Sequence, residues 1–396
     1  MMNGEEVVII SALRTPIGSF GGVFKEMRAP ALAIPLMEAI LAQTGIDPAI
    51  IDDIIWGCAY QRVQNEANIA RVAAIKAGIP DTVPAVTVQR VCTSAMWSIV
   101  SGAQAIRLGD AQVVLAGGVE SMSAVPHTVD GVRWGSRLGH MEISDALWDG
   151  LTRLGVGPGM GMTAENLAEK YAISREEQDE LAYTSHMRAV KASQEGRFKD
   201  EIIPIEVPQR KGAPISVDKD EGPRADTSLE KLAKLPAVFK KDGTVTAGNA
   251  STMNDGAAGL LLMSRRKAEE LGMAPMARIL SFGLAGVDPD IMGIGPVPAS
   301  QQALERAGLK LKDVELFEFN EAFAAQYLAV EKELKLNRDL TNVNGSGISL
   351  GHPVGATGSR IVVTLLHEMG KRDLKIGLAS LCGGGGIGMA LLLERM

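Results

Sequence analysis

The sequence predicts an α/β fold in which two similar halves make up most of the chain and a long insertion interrupts the first half. Three observations lead to this prediction. Apolar, β-branched runs alternate with amphipathic helical patterns, as is typical of a sheet covered by helices on both faces. Several segments recur in the same order later in the chain, which indicates a duplicated unit. The alternation stops between residues 121 and 248 and then resumes.

The first half begins with a strand, because VVIIS is apolar and largely β-branched. A helix follows, because Leu32, Leu36, Met37 and Ile40 recur at helical spacing. The same criteria predict strands at 7–11, 51–57, 83–88 and 111–116, and helices at 30–43, 68–77 and from about 93 to 108. A glycine pair is expected to end the strand at 111–116.

The insertion at 121–248 is richer in charge, glycine and proline than the rest of the chain. It contains one clear helix, at 175–195, which Ser174 opens as N-cap with Glu177 at the capping-box position. Residues 207–226 are polar and rich in breakers, so we expect a loop there.

The second half repeats the pattern, with strands predicted at 259–263, 277–283, 314–319, 375–381 and 388–393 and helices at 266–271, 300–307, 322–334 and 352–369. TGIDPAIIDDIIWGCA (44–59) parallels RAGLKLKDVELFEFNEA (306–322), VQRVCTSAMWSIVSGAQAI (88–106) parallels VNGSGISLGHPVGATGSRIV (343–362), and LAGG (115–118) parallels LCGG (381–384). We therefore expect a first half at 1–120 plus about 249–270, the insertion at 121–248, a second half at 271–396, and a mostly parallel sheet.

Composition excludes several classes of protein. Three cysteines in 396 residues are too few for a disulfide scaffold. A hydrophobic content of 46% with a net charge of −7 excludes disorder and argues against nucleic-acid binding. No apolar run reaches the roughly 20 residues of a membrane helix, and the first residues do not resemble a signal peptide. We expect a cytoplasmic protein with reduced thiols and no membrane or nucleic-acid partner, and no metal-binding motif is present.

Two candidate functional residues stand at the predicted starts of helices. Cys92 lies between a strand and a helix, where the helix dipole and free N–H groups lower the pKa of a thiol. It is a candidate nucleophile, and the alternative is a small buried core residue. His352 lies in GHPVGATG, where glycines let a ligand approach the backbone and Pro353 suits the first turn of a helix. It is a candidate base, and the alternative is a histidine that caps its own loop.

Two further candidates end predicted strands. Cys382 precedes four glycines, whose bare N–H groups can form an oxyanion hole. The segment 383–388 also fits the G-x-G-x-x-G pattern of dinucleotide-binding proteins, but a strand-like MALLLE follows it instead of a helix. Asn320 is a candidate to hold a catalytic water or an oxyanion, and the alternative is a turn or helix-cap residue. Cys58, in IIWGCA, is interpreted as a core residue.

Nine collinear segments resemble the motifs of the thiolases, the acetyl-CoA C-acyltransferases. They are SALRTPIGSFGG, VQRVCTSA, AGGVESMS, GMTAENLA, DEGPRADTS, TVTAGNASTMNDGA, NEAFAAQ, NVNGSGISLGHPVGATGSR and LCGGGGIGMA, and they extend over essentially the whole chain. The resemblance implies an enzyme that converts two acetyl-CoA to acetoacetyl-CoA and CoA, or the reverse, by a ping-pong reaction through acyl-Cys92. The alternative within the family is a 3-ketoacyl-CoA thiolase for longer chains in fatty-acid β-oxidation.

The resemblance also implies roles for individual residues. Cys92 is the nucleophile, His352 takes its proton, and Cys382 is the acid or base at the α-carbon of the substrate. One oxyanion hole would use His352 with a water held by Asn320, and the other the backbone N–H groups of Cys92 and Gly384. Coenzyme A and acetyl-CoA are implied as substrates, with no permanently bound cofactor and no metal. The residues that would line the coenzyme A path are Met160, Arg224, Ala247, Ser251, Ala322 and Phe323.

The family fold consists of two βαβαβαββ halves packed face to face in five layers, αβαβα. The insertion would carry loops that bind coenzyme A and form a homotetramer, a dimer of dimers. Ala95 stands where many members have glycine, and Gly159 and Lys231 depart from residues found in short-chain biosynthetic members. These departures bear on the acyl-chain preference. Two other classes are alternatives. A decarboxylating condensing enzyme shares the fold but lacks a counterpart of Cys382, and a non-catalytic acyl-CoA-binding protein does not need both thiols.

Overall fold

Residues 5–62, 64, 66–135 and 137–396 are described by a computed structural model of the chain. The strands are β1 (Val7–Arg14), β2 (Gly18–Ser19), β3 (Asp53–Gly57), β4 (Ala85–Val88), β5 (Val113–Ser121), β6 (His127–Val129), β7 (Ile143–Asp145), β8 (Ile205–Val207), β9 (Ile215–Val217), β10 (Asn254–Ser264), β11 (Ala277–Gly286), β12 (Leu316–Phe319), β13 (Ile376–Gly383) and β14 (Ile387–Arg395). The helices are α1 (Ala29–Thr44), α2 (Ile69–Lys76), α3 (Ser94–Leu108), α4 (Ala146–Thr152), α5 (Met160–Lys170), α6 (Arg175–Gln194), α7 (Leu229–Ala233), α8 (Arg265–Glu270), α9 (Pro296–Ala307), α10 (Ala324–Leu334), α11 (Gly347–Leu350) and α12 (Thr357–Arg372).

The large sheet of the described residues runs in the order β12-β13-β14-β11-β1-β10-β5-β3-β4, with β2 beside β10. Strands β1 and β11 join its two parts through the pairs Val8–Arg278 and Ile9–Ala277. The pairs β3–β4, β3–β5 and β12–β13 are parallel, whereas β1–β10, β5–β10, β11–β14 and β13–β14 are antiparallel. The prediction of a mostly parallel sheet is therefore wrong. A parallel pair needs a crossover helix, and a short turn, not a helix, connects β13 to β14.

The two parts of the sheet repeat one arrangement, so the predicted duplication is confirmed. The first contains β4-β3-β5-β10-β1 and the second β12-β13-β14-β11. In each part, parallel strands lie at the outer edge and the last two strands are antiparallel. In the second part, a single parallel bridge between Phe317 and Thr341 lies beside β12, where the first part has the complete strand β4.

Neighbouring residues of each strand face different helical layers, as the period of a strand requires. In β10, Leu260 packs in a central cluster with α3 and α12, whereas Leu261 packs with α1 and α2. In β14, Leu391 faces the same central cluster, whereas Leu392 packs with α5, α9 and α10. Three helical layers thus alternate with two sheet layers, which gives the predicted αβαβα order.

The insertion contains more regular structure than the sequence predicts. The helix α6 has the predicted capping box between Ser174 and Glu177. Helices α4, α5 and α7 were not predicted, and strands β8 and β9 pair across the expected loop at 207–226. These elements are short, and the periodic signal of a short segment is weak. Within the described residues, no helix is both long and apolar enough to cross a bilayer.

Two predicted boundaries near the site are wrong for physical reasons. Strand β5 continues through Gly117 and Gly118, because glycine is required there for packing rather than for a turn. A Cβ atom on Gly117 would lie 2.7 Å from the ring of Trp56. Helix α12 begins at Thr357 rather than at residue 352. His352 therefore lies in the turn before the helix and not in its first turn.

Candidate active site

Cys92 lies in a tightly bonded turn directly before α3. The hydroxyl of Ser94 accepts the N–H of Arg90 at 2.7 Å and donates to the carbonyl oxygen of Val91 at 2.6 Å. Val91 has a φ of 49°, a left-handed conformation that a β-branched residue rarely adopts and that costs about 1–3 kcal/mol. The surrounding turn therefore holds Val91, directly before Cys92, in a conformation that a β-branched side chain disfavours.

Cys92 is 8% exposed, and its burial decides the protonation state of its thiol. Burial raises the pKa of Cys92 to about 11, although the N–H groups of Gly384 and of Cys92 itself favour the thiolate. The charge of Glu120 raises this pKa further. The prediction that the helix start lowers the pKa is wrong, because desolvation outweighs the two N–H groups. Cys92 is a neutral thiol at neutral pH and needs a base.

His352 is held by its backbone and by one ring nitrogen. Its N–H donates to Oδ1 of Asn254 at 2.8 Å. Its Nδ1 lies 2.7 Å from Oγ1 of Thr357 and 3.5 Å from Nδ2 of Asn320. Burial and the positive charge of Arg360 lower the pKa of His352 to about 3. The imidazole is therefore neutral at physiological pH and able to accept a proton.

Cys382 ends β13 opposite Gly388 of β14, with 1% of the residue exposed. Burial raises the pKa of Cys382, and so does the nearby charge of Cys92 when ionised. The turn that follows needs glycine, because Gly385 and Gly386 have φ values of 82° and 86°. This turn brings the N–H of Gly384 to the sulfur of Cys92. The structure therefore brings together both thiols and the glycine turn, as the sequence predicts.

Asn320 follows β12, and its N–H donates to the carbonyl oxygen of Ser380 at 3.0 Å. Its side chain is buried beside His352. Among the described residues, Oδ1 of Asn320 has no hydrogen-bond partner. A buried amide oxygen without a partner is suited to a water or a substrate group.

Glu120 is a buried residue of this region that the sequence analysis missed. One carboxylate oxygen accepts the N–H groups of Ala59 at 2.9 Å and Gly355 at 3.0 Å. The other accepts the N–H of Tyr60 and the thiol of Cys58, each at 3.2 Å. Burial raises the pKa of Glu120 to about 7. Its signal in the sequence is a lone carboxylate inside the otherwise apolar strand VVLAGGVES. Cys58 is buried, as the core interpretation expects.

Three of the residues assigned to the coenzyme A path lie together. The N–H of Ser251 donates to the carbonyl oxygen of Ala322 at 2.9 Å. Phe323 pairs with Ala250 in an antiparallel bridge. The Phe323 ring meets that of Phe239 edge to face, with ring centroids 6.1 Å apart. These contacts form an apolar wall that continues from Asn320 along the chain.

The other three residues of that set are Met160, Arg224 and Ala247, of which Met160 packs against the same apolar cluster as Ala322 and Phe323. Met160 begins α5, and a Cβ atom on Gly384 would lie 3.1 Å from its Cε. Met160 therefore borders the glycine turn. Arg224 and Ala247 are exposed. The N–H of Arg224 donates to Nδ1 of His186 at 3.3 Å, and burial lowers the pKa of His186 to about 4.

Comparison with known proteins assigns the chain to a family. The thiolase N-terminal domain matches residues 7–266, and the thiolase C-terminal domain matches residues 273–395. The chain belongs to the thiolase family and is an enzyme of that family. The predicted family and fold are thereby confirmed.

Individual relatives cover nearly the whole chain. The acetyl-CoA acetyltransferase of Pseudomonas aeruginosa is 53% identical over 396 residues, covering 99% of this chain and 100% of the relative. The crystal structure of the Bacillus anthracis acetyl-CoA acetyltransferase matches with a TM-score of 0.96 at 52% identity, covering 99% of both chains. Human mitochondrial 3-ketoacyl-CoA thiolase in complex with CoA matches with a TM-score of 0.95 at 46% identity, covering 99% of this chain and 98% of that one.

Proposed function

We propose that this enzyme converts two molecules of acetyl-CoA to acetoacetyl-CoA and CoA, and catalyses the reverse cleavage. The observation that carries the proposal is the convergence of two buried thiols, where the N–H of Gly384 meets the sulfur of Cys92. The relatives support the acetyl substrate, since two acetyl-CoA acetyltransferases are 53% and 52% identical to this chain, against 46% for the human 3-ketoacyl-CoA thiolase.

The first half-reaction loads the acetyl group onto Cys92. His352 takes the Cys92 proton as the sulfur attacks the thioester carbonyl of acetyl-CoA. The oxyanion forms beside the N–H groups of Cys92 and Gly384, which are fixed before the charge appears. The departing CoA sulfur takes the proton of Cys382, so that Cys382 becomes a thiolate. Cys92 keeps its proton until a base acts, because its pKa is raised to about 11, and the neutral ring of His352 has a free lone pair for that proton.

The second half-reaction forms the carbon–carbon bond. The Cys382 thiolate removes the α-proton of a second acetyl-CoA, and the enolate oxygen is stabilised by His352 and by a water held by Asn320. The enolate carbon attacks the acetyl group on Cys92, and acetoacetyl-CoA forms as the Cys92 sulfur leaves. The proton on His352 returns to that sulfur, which restores all three groups. In the reverse direction, Cys382 as a thiol protonates the acetyl-CoA carbanion.

Coenzyme A is proposed to run along Met160, Ser251, Ala322 and Phe323, with Arg224 and Ala247 on the solvent side. The edge-to-face pair of the buried Phe323 and the half-buried Phe239 supports an apolar passage for the pantetheine arm. The exposed Arg224 supplies a cation for the phosphates. Because both catalytic thiols must stay reduced, and the three cysteines are free thiols, the proposed compartment is a reducing one such as the cytoplasm.

A homotetramer is proposed on the basis of two exposed features. The insertion exposes Trp134 at 90% and Leu138 at 97%, together with Ile143 and Trp148. Large apolar side chains exposed together are typical of an interaction surface. The edge strand β4 also exposes Val86, and an uncovered sheet edge can pair with a second chain. Sedimentation of the protein, with Trp134→Ser and Leu138→Ser together as the variant, tests this assembly.

The rate of CoA-dependent cleavage across substrates from acetoacetyl-CoA to long-chain 3-oxoacyl-CoA tests the proposed reaction. We expect the highest kcat/KM for acetoacetyl-CoA and lower values as the chain lengthens. Rates that rise with chain length would assign the enzyme to longer substrates. No cleavage at any length would contradict the proposed function and favour a binding role.

A further inference from the structure

We propose that Thr357 is a positioning residue that holds His352 in the tautomer with its proton on Nδ1. The atom that accepts the Cys92 proton is then Nε2. The inference rests on the proposed role of His352 as the base and adds the group that makes the base competent. Its main observation is the contact of 2.7 Å between Nδ1 of His352 and Oγ1 of Thr357, a pair in which Thr357 is wholly buried and His352 nearly so.

The direction of this hydrogen bond follows from the other contact of the hydroxyl. Thr357 has one hydroxyl proton, and the carbonyl oxygen of Pro353, one helical turn back, accepts it at 2.9 Å. With that proton engaged, Oγ1 of Thr357 accepts, and Nδ1 of His352 must donate. The other neighbour of Nδ1 is Nδ2 of Asn320 at 3.5 Å, which is itself a donor and too distant for a good bond. We therefore assign the Nδ1–H tautomer from the network.

The tautomer matters because only one ring form can act as the base. With the proton on Nε2, the lone pair of Nδ1 would face the Thr357 hydroxyl, and no ring nitrogen would be free to take the Cys92 proton. The backbone of this turn is fixed separately, by Asn254 on the N–H of His352 and by Glu120 on the N–H of Gly355. Those contacts place the backbone, and the hydroxyl of Thr357 then selects the ring form. When the ring accepts the proton, Nδ1–H keeps its acceptor, so no bond has to rearrange.

Two substitutions at one position and one matched control test the proposal. Thr357→Val keeps the shape and removes the hydroxyl, whereas Thr357→Ser keeps the hydroxyl. Thr364→Val is the control, because Thr364 is a buried threonine of the same helix whose hydroxyl donates to Glu201 at 3.0 Å and not to His352. The readout is the rate at which iodoacetamide alkylates Cys92, measured against pH by peptide mass spectrometry.

We expect Thr357→Val to slow Cys92 alkylation near neutral pH by about 10-fold or more, as is typical when a group that orients a histidine is removed. The rate should then rise only at alkaline pH, as for an unassisted thiol. Thr357→Ser should restore the wild-type profile, and Thr364→Val should keep it even if the protein is less stable. A wild-type profile for Thr357→Val, or a profile for Thr357→Ser as slow as that of Thr357→Val, would overturn the proposal.

A measurement on the unaltered protein gives an independent test, which also serves if Thr357→Val fails to fold. ¹⁵N spectra of histidine-labelled protein distinguish protonated from unprotonated ring nitrogens, and His352→Asn identifies the resonances of His352. We expect a protonated Nδ1 and an unprotonated Nε2, and the opposite pattern would overturn the proposal. A lack of acetyl transfer by the wild-type enzyme would contradict the proposed function but would leave this spectrum unchanged.

Discussion

The turn before α3 and the turn before α12 occupy corresponding places in the two halves, yet they present opposite chemistry. The first presents the thiol of Cys92 and the second the imidazole of His352. Burial raises the pKa of Cys92 to about 11 and lowers that of His352 to about 3. One physical cause thus acts in opposite directions and keeps both groups neutral. A charge pair therefore forms between these two groups only when a proton moves from one to the other.

The two helices can present these groups to one substrate because glycines let them approach closely. A Cβ atom on Gly358 of α12 would lie 2.3 Å from the backbone nitrogen of Met96 in α3. A Cβ atom on Gly118 of β5 would lie 2.1 Å from the carbonyl oxygen of Gly355. The contact between the two halves therefore depends on glycines, which have no side chain, as well as on packed side chains.

Removal of Cys92, the proposed nucleophile, should have the largest effect on this pair of groups. We expect Cys92→Ser to lower turnover by at least roughly 10⁴-fold, because a serine hydroxyl is harder to ionise and less nucleophilic than a thiol. Labelling with radioactive acetyl-CoA measures the acyl-enzyme directly. Cys58→Ser is the control, since this thiol contacts Glu120, and it should still be labelled. A thioester-linked acetyl group on the Cys92→Ser protein would contradict the assignment.

Removal of the second thiol should separate the two half-reactions. We expect Cys382→Ser to slow condensation by about 10³-fold, because the α-proton then lacks its base. Acylation of Cys92 should fall by no more than about 10-fold, since a thiolate leaves readily without an acid. Acetyl labelling and acetoacetyl-CoA formation are measured on the same preparation. Equal losses in both assays would show that Cys382 is not specific to the condensation step.

The close approach of the helices can be tested with two glycines of the same helix. Gly358→Ala should lower the free energy of unfolding by about 1–3 kcal/mol, because its methyl group meets the backbone of α3. Gly370→Ala is the matched control, since nothing lies within 4 Å of its added Cβ atom, and it should stabilise by up to about 1 kcal/mol. Urea unfolding midpoints measure both. Similar midpoints for the two variants would refute the required close approach.

The smallest effect concerns the rate of Cys92 acylation at acidic pH. An ordinary histidine has a pKa of about 6.5, but the pKa of His352 is lowered to about 3. Between about pH 8 and about pH 5 its ring stays neutral, so Cys92 acylation should not lose its base in that range. Single-turnover acylation of folded enzyme against pH checks this. A tenfold fall in the acylation rate per pH unit, beginning at about pH 6.5, would show that burial does not lower the pKa of His352.

The features that the sequence predicts correctly are mainly those that depend on residues close together in the chain. The capping box of α6 and the positions of Cys92, His352 and Cys382 beside turns follow from neighbouring residues, and the nine motifs indicate the family. The antiparallel placement of β10 between β1 and β5 was not predicted, because this strand pairing joins residues far apart in the chain. The positive φ of Val91 has no local signal, since a β-branched residue disfavours it and distant packing must impose it. The roles of Glu120 and Thr357 depend in the same way on contacts between elements.

The position of β10 has a consequence for how the chain folds as it is synthesised. This strand lies between β1 and β5 in the sheet, yet it follows the whole insertion in the chain, and it pairs Val7 with Ser264. Until the ribosome has released that segment, β1 and β5 lack their shared neighbour and expose unpaired edges. Contacts between residues this far apart in sequence form slowly. The turn that carries Cys92 is therefore among the early parts to be synthesised and among the late parts to be enclosed.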